Sequence, residues 1–385
     1  MSSKIWLSSP HLGLNEIRYV NDAFSTNWVS PMGPNVDAFE NSLKNFTKAD
    51  NCLVLSSGTS ALHLALILLN VNSGDLIFCQ SMTFAASANP IVYQGAIPVF
   101  IDSEADTWNM DPLLLKAALF EAKVEGKLPK AIIVVHLYGM PAKMDEIISI
   151  AEEFGVSIIE DSAEALGSSI GNKSCGVFGK FGVLSFNGNK IITTSGGGAL
   201  LSCNSELILK AKFLSTQARD PAPHYQHTHI GYNYRLSNVL AGIGIGQMEV
   251  INERIVARRN NFYRYKKFFE KYNKAGFNII FQEEPLGFFS NRWLTCIVVN
   301  PVINNGLTRE DIRLVMDSEN IESRPLWKPM HQQPVFVNSK AYLNGVSDKL
   351  FEDGLCLPSG SNLTDEEFNR IFECLDHIFA RYKNS

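Results

Sequence analysis

CLVLSSGTSALHLAL, residues 52–66, is the stretch of sequence that indicates the fold most clearly. Its first four residues are apolar and predict a buried strand, and the apolar run at residues 61–69 predicts a helix. The segment between them is small and polar, which is typical of a tight turn at the start of a helix. A strand, a turn and a helix in this order are the repeating unit of α/β proteins.

The same alternation continues along the chain as far as residue 201. Short apolar runs predict strands at residues 97–101, 131–135, 156–159, 183–186 and 199–202. A helical pattern at residues 144–154 separates two of these runs. The predicted fold is therefore α/β, with a mainly parallel central sheet that helices cover on both faces.

A different pattern follows Ser237. Residues 239–272 predict one long helix or two joined helices, and residues 294–299 predict a strand. Helices are also predicted at residues 308–318, with Thr308 as N-cap, and from a capping box at residues 364–367 to residue 382. We expect a large α/β domain over residues 1–240 and a smaller C-terminal α+β domain over residues 241–385. The first fifty residues resemble neither part and are expected to wrap the outside or supply substrate contacts.

The composition excludes several classes of partner. Of the 385 residues, 45% are apolar and 19% charged, and the net charge is −5, so no general attraction to nucleic acid or acidic membranes is expected. The longest apolar stretch is too short to cross a bilayer, and the N-terminus lacks the apolar block of a signal peptide. We expect a cytoplasmic protein.

The cysteines and histidines do not predict a metal site. The seven cysteines form no CxxC pair, and a reducing compartment would keep them as thiols. His224, His227 and His229 are close in sequence, but prolines and polar residues surround them. A metal site there is one interpretation, and a solvated loop is the favoured one.

Three motifs carry groups that are able to do chemistry. SSGTSA at residues 56–61 opens a predicted helix, whose free N–H groups and hydroxyls could cradle a phosphate, although an ordinary N-cap explains it equally well. IIEDSAE at residues 158–164 brings Asp161 to the end of a strand, where ligands bind in open α/β sheets; a helix-capping carboxylate is the alternative. SFNGNK at residues 185–190 presents Lys190 before the glycine run of residues 196–198. By itself, this third motif is more typical of a surface lysine.

Together, the three motifs favour a binding site for pyridoxal 5′-phosphate. This cofactor needs one group for its phosphate, one for its pyridine nitrogen and an amine for its aldehyde. Burial in a cleft favours the uncharged form of a lysine amine, which is the form that bonds to aldehydes.

Over nearly its whole length the chain resembles the DegT/DnrJ/EryC1/StrS family of nucleotide-sugar aminotransferases. The matching segments include SSGTSALHLAL, HLYGMPAKMDEI, IIEDSAEALGS, GYNYRLSNVLAGIGIGQME and SRPLWKPMHQQPVF, and the most specific is SFNGNK with its following SGGG. The resemblance implies fold type I of the pyridoxal phosphate-dependent transferases, the aspartate aminotransferase fold. Sugar dehydratases of the family have histidine in place of the lysine, so Lys190 favours transamination.

The resemblance also implies roles for individual residues. Lys190 is the lysine that binds the cofactor covalently, and Asp161 pairs with its pyridine nitrogen. Phe84 lies on the face of the cofactor ring, although a core aromatic is the commoner role for such a residue. The phosphate is held by Gly58, Thr59 and Ser185.

Two further residues are implied near the cofactor. Glu164 stands where relatives often carry glutamine or histidine, near the 3-oxygen of the cofactor. Asn233 reaches the phosphate of the neighbouring subunit, which implies a homodimer with composite sites. Without the resemblance, Asn233 indicates only a turn.

Two segments, NWVSPMGP at residues 27–34 and RPLWKPMH at residues 324–331, look like sugar-nucleotide contacts of the family. Tryptophan offers a flat apolar face to a sugar or base, and cationic side chains offer charge to a diphosphate. Packing between domains is the alternative for both tryptophans. The substrate-binding residues implied are Asn27, Trp28, Arg324, Trp327, Lys328 and His331.

The branch of the family predicts the substrate. GLCLPSGSNLT at residues 354–364 and SFNGNK resemble aminotransferases of 4-keto-6-deoxy sugar nucleotides, and the enzymes that make UDP-4-amino-4,6-dideoxy-N-acetylglucosamine, the precursor of bacillosamine, are the most similar. L-Glutamate is the expected amino donor, and the product would enter surface glycans or glycoproteins. A GDP-perosamine-type or dTDP-sugar aminotransferase is an alternative. A non-catalytic relative that binds a sugar nucleotide is another, and a Rossmann-type protein would require a GxGxxG that SSGTS does not match.

Overall fold

The computed structural model describes residues 3–383. Its central sheet has eight strands, whose spatial order is β1 (Asn51–Leu55), β9 (Gly198–Ser202), β8 (Phe181–Ser185), β5 (Ser157–Asp161), β4 (Ala131–Val135), β2 (Leu76–Gln80), β3 (Ile97–Ile101) and β14 (Ala341–Tyr342). The neighbouring strands from β8 to β14 are parallel, whereas β9 is antiparallel to both β1 and β8. The predicted mainly parallel sheet is confirmed.

Helices cover both faces of this sheet. They are α3 (Gly58–Leu68), α4 (Asn89–Tyr93) and α7 (Ser205–Ser215), together with α5 (Pro112–Val124) and α6 (Met144–Phe154). Ile133 of β4 packs in one apolar cluster with Leu62 of α3, and its neighbour Ile132 packs in another with Leu115 of α5. Because successive strand residues point to opposite faces, a continuous apolar strand such as β4 is buried on both sides.

The first fifty residues form two helices that the sequence analysis did not predict. These are α1 (Glu16–Ser25) and α2 (Pro34–Thr47), and both pack on α8 (Asn238–Glu249). Phe39 of α2 lies in an apolar cluster with Ala241 and Ile245 of α8 and with Phe186, which directly follows β8. The N-terminal segment is therefore part of the packed structure beside the large sheet.

A second, four-stranded sheet lies in the C-terminal part of the chain. Its order is β10 (Ile279–Phe281), β12 (Thr295–Val299), β15 (Gly354–Leu357) and β13 (Arg324–Pro325). It packs with α9 (Ile251–Lys274), α10 (Arg309–Ser318) and α12 (Asp365–Tyr382), while α11 (Val346–Asp353) immediately precedes β15. A third small sheet combines β6 (Ser169–Ile170), β7 (Lys173–Ser174) and β11 (Phe288–Phe289).

Most predicted C-terminal elements are confirmed. The helical pattern of residues 239–272 is two joined helices, α8 and α9, which meet at Val250. Thr308 caps α10, and Thr364 and Glu367 form the predicted capping box of α12. Ala241 and Ile245 are buried beside the large sheet, whereas Phe262 and Phe269 are buried beside the small one. The division of the chain at residue 240 stays a prediction.

No helix within residues 3–383 is both long and apolar enough to cross a membrane.

Candidate active site

A cavity of about 560 Å³ opens at the C-terminal ends of the parallel strands. The ends of three strands contribute directly to its wall, since Val135 is the last residue of β4, Asp161 the last of β5 and Ser185 the last of β8. This is the position at which open α/β sheets bind ligands. The cavity brings together nine of the predicted site residues: Gly58, Thr59, Phe84, Asp161, Glu164, Ser185, Lys190, Arg324 and Trp327.

One end of the cavity is the N-terminus of α3. The hydroxyl of Ser57 caps this helix by accepting a hydrogen bond from the N–H of Ser60 at 3.0 Å. Gly58 and Thr59, the two residues before Ser60, also belong to the first turn of α3. The N–H groups of a first helical turn have no hydrogen-bond partner within the helix. A Cβ on Gly58 would stand 3.2 Å from the Cβ of Ser185, so only glycine leaves the space between α3 and β8 open.

Asp161 lies deeper, at the end of β5, and its side chain is held in place by hydrogen bonds. The hydroxyl of Ser87 donates to Oδ2 at 2.6 Å, and the N–H of Ala163 donates to Oδ1 at 3.2 Å. Thr83 in turn contacts the Ser87 hydroxyl at 2.6 Å. The residue is 5% exposed, so its carboxylate is fixed in orientation at a buried wall of the cavity.

Lys190 lies beside Glu164 and an aromatic ring. Its Nζ atom is 3.3 Å from Oε1 of Glu164 and 4.2 Å from the centroid of the Trp293 ring. The side chain of Lys190 is 11% exposed and that of Glu164 is 4% exposed. The amine is therefore enclosed by protein yet faces the cavity.

The ionisation of Glu164 is shifted toward neutral pH. Burial raises its pKa to about 7, against the opposing effects of the Lys190 charge and of the Tyr138 N–H, which donates to Oε2 at 2.7 Å. Asp161 adds a smaller upward effect. Tyr138 makes its bond from a left-handed backbone conformation with φ of 56°, which is uncommon for a residue other than glycine.

Four rings pack together beside the site, and we call them the aromatic cluster: Phe84, Trp293 and Trp327, which line the cavity, and Tyr138, which packs behind them. Trp327 is central, with ring centroids 5.6 Å from Phe84 and 5.1 Å from Tyr138. The backbone N–H of Trp327 also donates to the Tyr138 hydroxyl at 2.9 Å. Trp327 thus lines the cavity and packs against its neighbours at the same time. Phe84 is 59% exposed and presents an open ring to the cavity.

Arg324 lies at the cavity wall, where it is exposed and paired with Glu322 at 2.8 Å. The carboxylate of Glu322 also accepts a hydrogen bond from the backbone N–H of Leu7 at 3.0 Å. This pair connects β13 to the N-terminal segment. A cation at this position is available to a negatively charged ligand that enters the cavity.

The other predicted site residues lie outside the cavity. Asn27 and Trp28 follow α1 on the surface, and Asn233 is exposed with its Oδ1 atom 3.1 Å from the Gln217 amide. His331 bridges Ser81 and Asp348, at 2.7 and 2.8 Å. The roles of these four residues, and of the half-buried Lys328, stay predictions.

Comparison with known proteins identifies the chain. The family model described as the DegT/DnrJ/EryC1/StrS aminotransferase family matches residues 10–376.

The chain belongs to the DegT/DnrJ/EryC1/StrS aminotransferase family.

Individual relatives of this DegT-family chain agree with that assignment. EpsN of Bacillus subtilis strain 168, provisionally named a pyridoxal phosphate-dependent aminotransferase, is 52% identical over 98% of this chain and 97% of its own length. GDP-perosamine synthase of Caulobacter vibrioides is 32% identical, over 98% of this chain and 99% of its own. The PLP-form of Spr1654 from Streptococcus pneumoniae, provisionally named a sugar aminotransferase, is similar in structure, with a TM-score of 0.87 and 26% sequence identity. The match covers 99% of this chain and 100% of that one.

This DegT-family chain is accordingly a sugar aminotransferase whose cofactor is pyridoxal phosphate. The residues of the cavity suit that cofactor. The cradle between α3 and β8 offers N–H groups and hydroxyls to a phosphate, while Asp161 offers a carboxylate to a ring nitrogen and Lys190 an amine to an aldehyde. A Cβ on Gly58 would fill part of that cradle.

Sequence reasoning missed several residues that support the site of this DegT-family enzyme. Ser87 fixes Asp161, Tyr138 binds Glu164, and Trp293 covers Lys190. Tyr138 lies within a segment that resembles the family, and the glycine after it could have signalled an unusual turn. Ser87 also lies within a segment that resembles the family, residues 80–102, whereas Trp293 carries no comparable local signal, because it acts on a residue far away in the chain.

Among residues 3–383, no group of three or more histidine, cysteine or acidic side chains is placed to hold a metal ion.

Proposed function

We propose that this enzyme transfers the amino group of L-glutamate to C4 of a 4-keto-6-deoxy sugar nucleotide, UDP-2-acetamido-2,6-dideoxy-4-keto-glucose. The observation that carries the proposal is the meeting of three groups in one cavity: the Lys190 amine, the Asp161 carboxylate and the open N-terminus of α3. The product would supply the synthesis of surface glycans or glycoproteins.

The residues of the chain take separate roles in this reaction. Pyridoxal phosphate, when bound, supplies an aldehyde that takes up an amino group and a ring that accepts electrons from the bond being broken. Asp161 holds a proton on the ring nitrogen, and the bond from Ser87 keeps its carboxylate aimed. Gly58, Thr59 and Ser185 bind the phosphate.

Lys190 moves protons at the reacting carbons. In the first half of the reaction its Nζ would take a proton from the α-carbon of L-glutamate and pass it to the cofactor carbon that keeps the amino group, and in the second half it would carry a proton from that carbon to C4 of the sugar. Glu164, 3.3 Å away, would hold the charged form of Lys190 during each transfer. Because the aromatic cluster encloses this side of the site, water has little access to the amine.

The substrate assignment draws on the wall of the cavity and on the segments that resemble this branch of the family. Phe84 and Trp327 offer flat apolar faces on which a deoxy sugar can pack, and Arg324 offers a positive charge to a diphosphate. A GDP-linked sugar is the second candidate, since the relatives at 32–33% identity include three GDP-perosamine synthases.

We also propose a homodimer with composite sites. Asn233 lies outside the cavity of its own chain, as expected of a residue that serves a neighbouring subunit. The nearby surface features are consistent with an interface, because α1 exposes Ile17 and Phe24, at 64% and 62%, and Trp28 follows at 46%. Contiguous exposed apolar patches, unlike single exposed apolar side chains, mark interaction sites.

A substrate panel tests the proposed activity. The purified enzyme is incubated with L-glutamate and the UDP-, GDP- and dTDP-linked 4-keto-6-deoxy sugars, and the formation of 2-oxoglutarate and amino sugar is measured. We expect the highest kcat/KM with the UDP sugar, and a fall of about a thousandfold in Lys190→Ala. A preference for the GDP sugar would favour the second candidate. Turnover that persists in Lys190→Ala would refute the role of this lysine.

A further inference from the structure

The turn that presents Lys190 is anchored at its two ends, because Phe186 and Ile191 are buried in one apolar cluster. Residues 187–190 form a turn in which the Lys190 N–H donates to the Asn187 carbonyl at 3.0 Å. Open space surrounds a Cβ placed on Gly188, so this part of the loop has room to move. The position of the turn between its buried ends therefore depends on contacts that other segments make with it.

Two donors meet at the carbonyl oxygen of Asn189, the residue before Lys190. The indole Nε1–H of Trp293 donates to it at 2.8 Å, and the hydroxyl of Ser8 donates to it at 2.7 Å. A carbonyl oxygen has two lone pairs, so this pair of donors satisfies it fully and fixes its direction. Since the same peptide continues into Lys190, the direction of the lysine is restricted too.

Trp293 contacts the lysine a second time, through its ring. The Nζ atom of Lys190 lies 4.2 Å from the ring centroid, within the range of a cation–π interaction. One residue thus holds both the backbone before the lysine and the amine at the end of its side chain. A tryptophan that served only to fill the core would not require either contact.

Trp293 itself is rigidly held. It is 2% exposed and stacks on Tyr138, with an interplanar angle of 23°. Its backbone N–H donates to the side-chain oxygen of Asn291 at 2.9 Å, and its backbone carbonyl accepts a hydrogen bond from the buried guanidinium of Arg258. Arg258 also donates to the Ser8 hydroxyl at 2.9 Å, so it ties together both donors to Asn189.

We propose that Trp293 is a positioning residue for Lys190, acting through its ring and through the Asn189 carbonyl, with Ser8 and Arg258 as its supports. The inference rests on the proposed role of Lys190 as the lysine that bonds to the cofactor. Its consequence is specific: loss of Trp293 weakens the bond between lysine and aldehyde more than it weakens the binding of the rest of the cofactor.

The test compares two ligands that differ at one carbon. Pyridoxal 5′-phosphate has the aldehyde, which forms a C=N bond with Nζ and releases one water. Pyridoxine 5′-phosphate has an alcohol there and cannot form this bond. The ratio of their dissociation constants, measured by equilibrium dialysis on cofactor-free enzyme, therefore reports the contribution of the lysine bond separately from that of the phosphate and ring contacts.

We expect Trp293→Phe, which keeps a ring but loses the N–H, to reduce the preference for the aldehyde by about fivefold. Trp293→Leu, which loses both contacts, should reduce it by about twentyfold. Ser8→Ala removes the other donor without disturbing the core and should reduce it by about threefold. The matched control is Trp108→Phe. Trp108 is buried in one apolar cluster with Trp293, but it does not line the cavity.

Circular dichroism establishes that each variant is folded. If the aldehyde preference in Trp293→Phe and in Ser8→Ala equals that of the wild type, the positioning role is refuted, and these two variants decide the matter should Trp293→Leu not fold. Equal weakening of both ligands would also refute it, since that result indicates a general loss of structure.

Borohydride trapping separates this outcome from failure of the proposed function. Borohydride adds hydride to the C=N carbon and leaves a stable C–N bond, which mass spectrometry locates in the digested protein. If the wild type is labelled at a lysine other than Lys190, the proposed function is wrong. Labelling at Lys190 with unchanged ratios in the variants refutes only the role of Trp293.

Discussion

Replacing Glu164 by glutamine should change the way in which stability depends on pH. Burial raises the pKa of this carboxyl from its ordinary value of 4.5 to about 7. At about 1.4 kcal/mol per pH unit, the ionised form of Glu164 costs the folded cofactor-free protein about 3 kcal/mol relative to the unfolded chain. Glutamine does not ionise, and its side-chain oxygen can still accept the hydrogen bond from Tyr138 N–H.

The sign follows from the direction of the pKa change. Below pH 4.5, Glu164 is protonated in both the folded and the unfolded protein, and it costs no stability. As the pH rises from 4.5 to 7, the unfolded chain releases its proton first, so the folded protein loses stability until Glu164 ionises as well. The free energy of unfolding of the wild type should therefore fall relative to that of Glu164→Gln by about 2.5 kcal/mol between pH 5 and pH 8.

The assay is urea unfolding of the two cofactor-free proteins in parallel at pH 5, 6, 7 and 8, followed by circular dichroism. Because the other titrating groups are common to both proteins, the difference between them isolates position 164. Glu270→Gln is the control, since it makes the same substitution at an exposed carboxyl outside the cavity. A difference between wild type and Glu164→Gln that stays constant within about 0.5 kcal/mol across this range would refute the reasoning.

Two further predictions concern the cradle and the subunit interface. Gly198→Ala places a Cβ 2.3 Å from the backbone nitrogen of Gly58, so we expect a loss of about 3 kcal/mol in unfolding free energy. The control is Gly188→Ala, which lies in open space and should change the unfolding free energy by less than about 1 kcal/mol. Equal effects in the two variants would contradict the packing argument. Mixing inactive Asn233→Ala and Lys190→Ala enzymes should restore about a quarter of wild-type activity, because half of randomly exchanged dimers are hybrids with one intact site of two. No recovery despite subunit exchange, confirmed by native mass spectrometry, would argue against composite sites.

Much of the large sheet could be predicted because its signals are local. β1, β4 and β5 are short apolar runs, and α3, α8, α10 and α12 each follow a capping serine or threonine. β2 was missed, although its five residues are mostly apolar, and it lies between β4 and β3 in the sheet. The pairing of a strand depends on partners elsewhere in the chain, and a short run is ambiguous without them. α1 and α2 were missed because their burial depends on α8, which lies some two hundred residues later.

The sequence by itself indicated the groups that we propose do the chemistry: a phosphate cradle at a helix start, a carboxylate at a strand end and a lysine on a glycine-rich loop. Each is specified by a few consecutive residues, since strand, turn and cap preferences act over short distances. Only the tertiary structure placed Ser87 on Asp161, Tyr138 on Glu164 and Trp293 on Lys190. Those contacts join residues 26 to 103 positions apart, and they form because strand order and side-chain packing bring distant segments together.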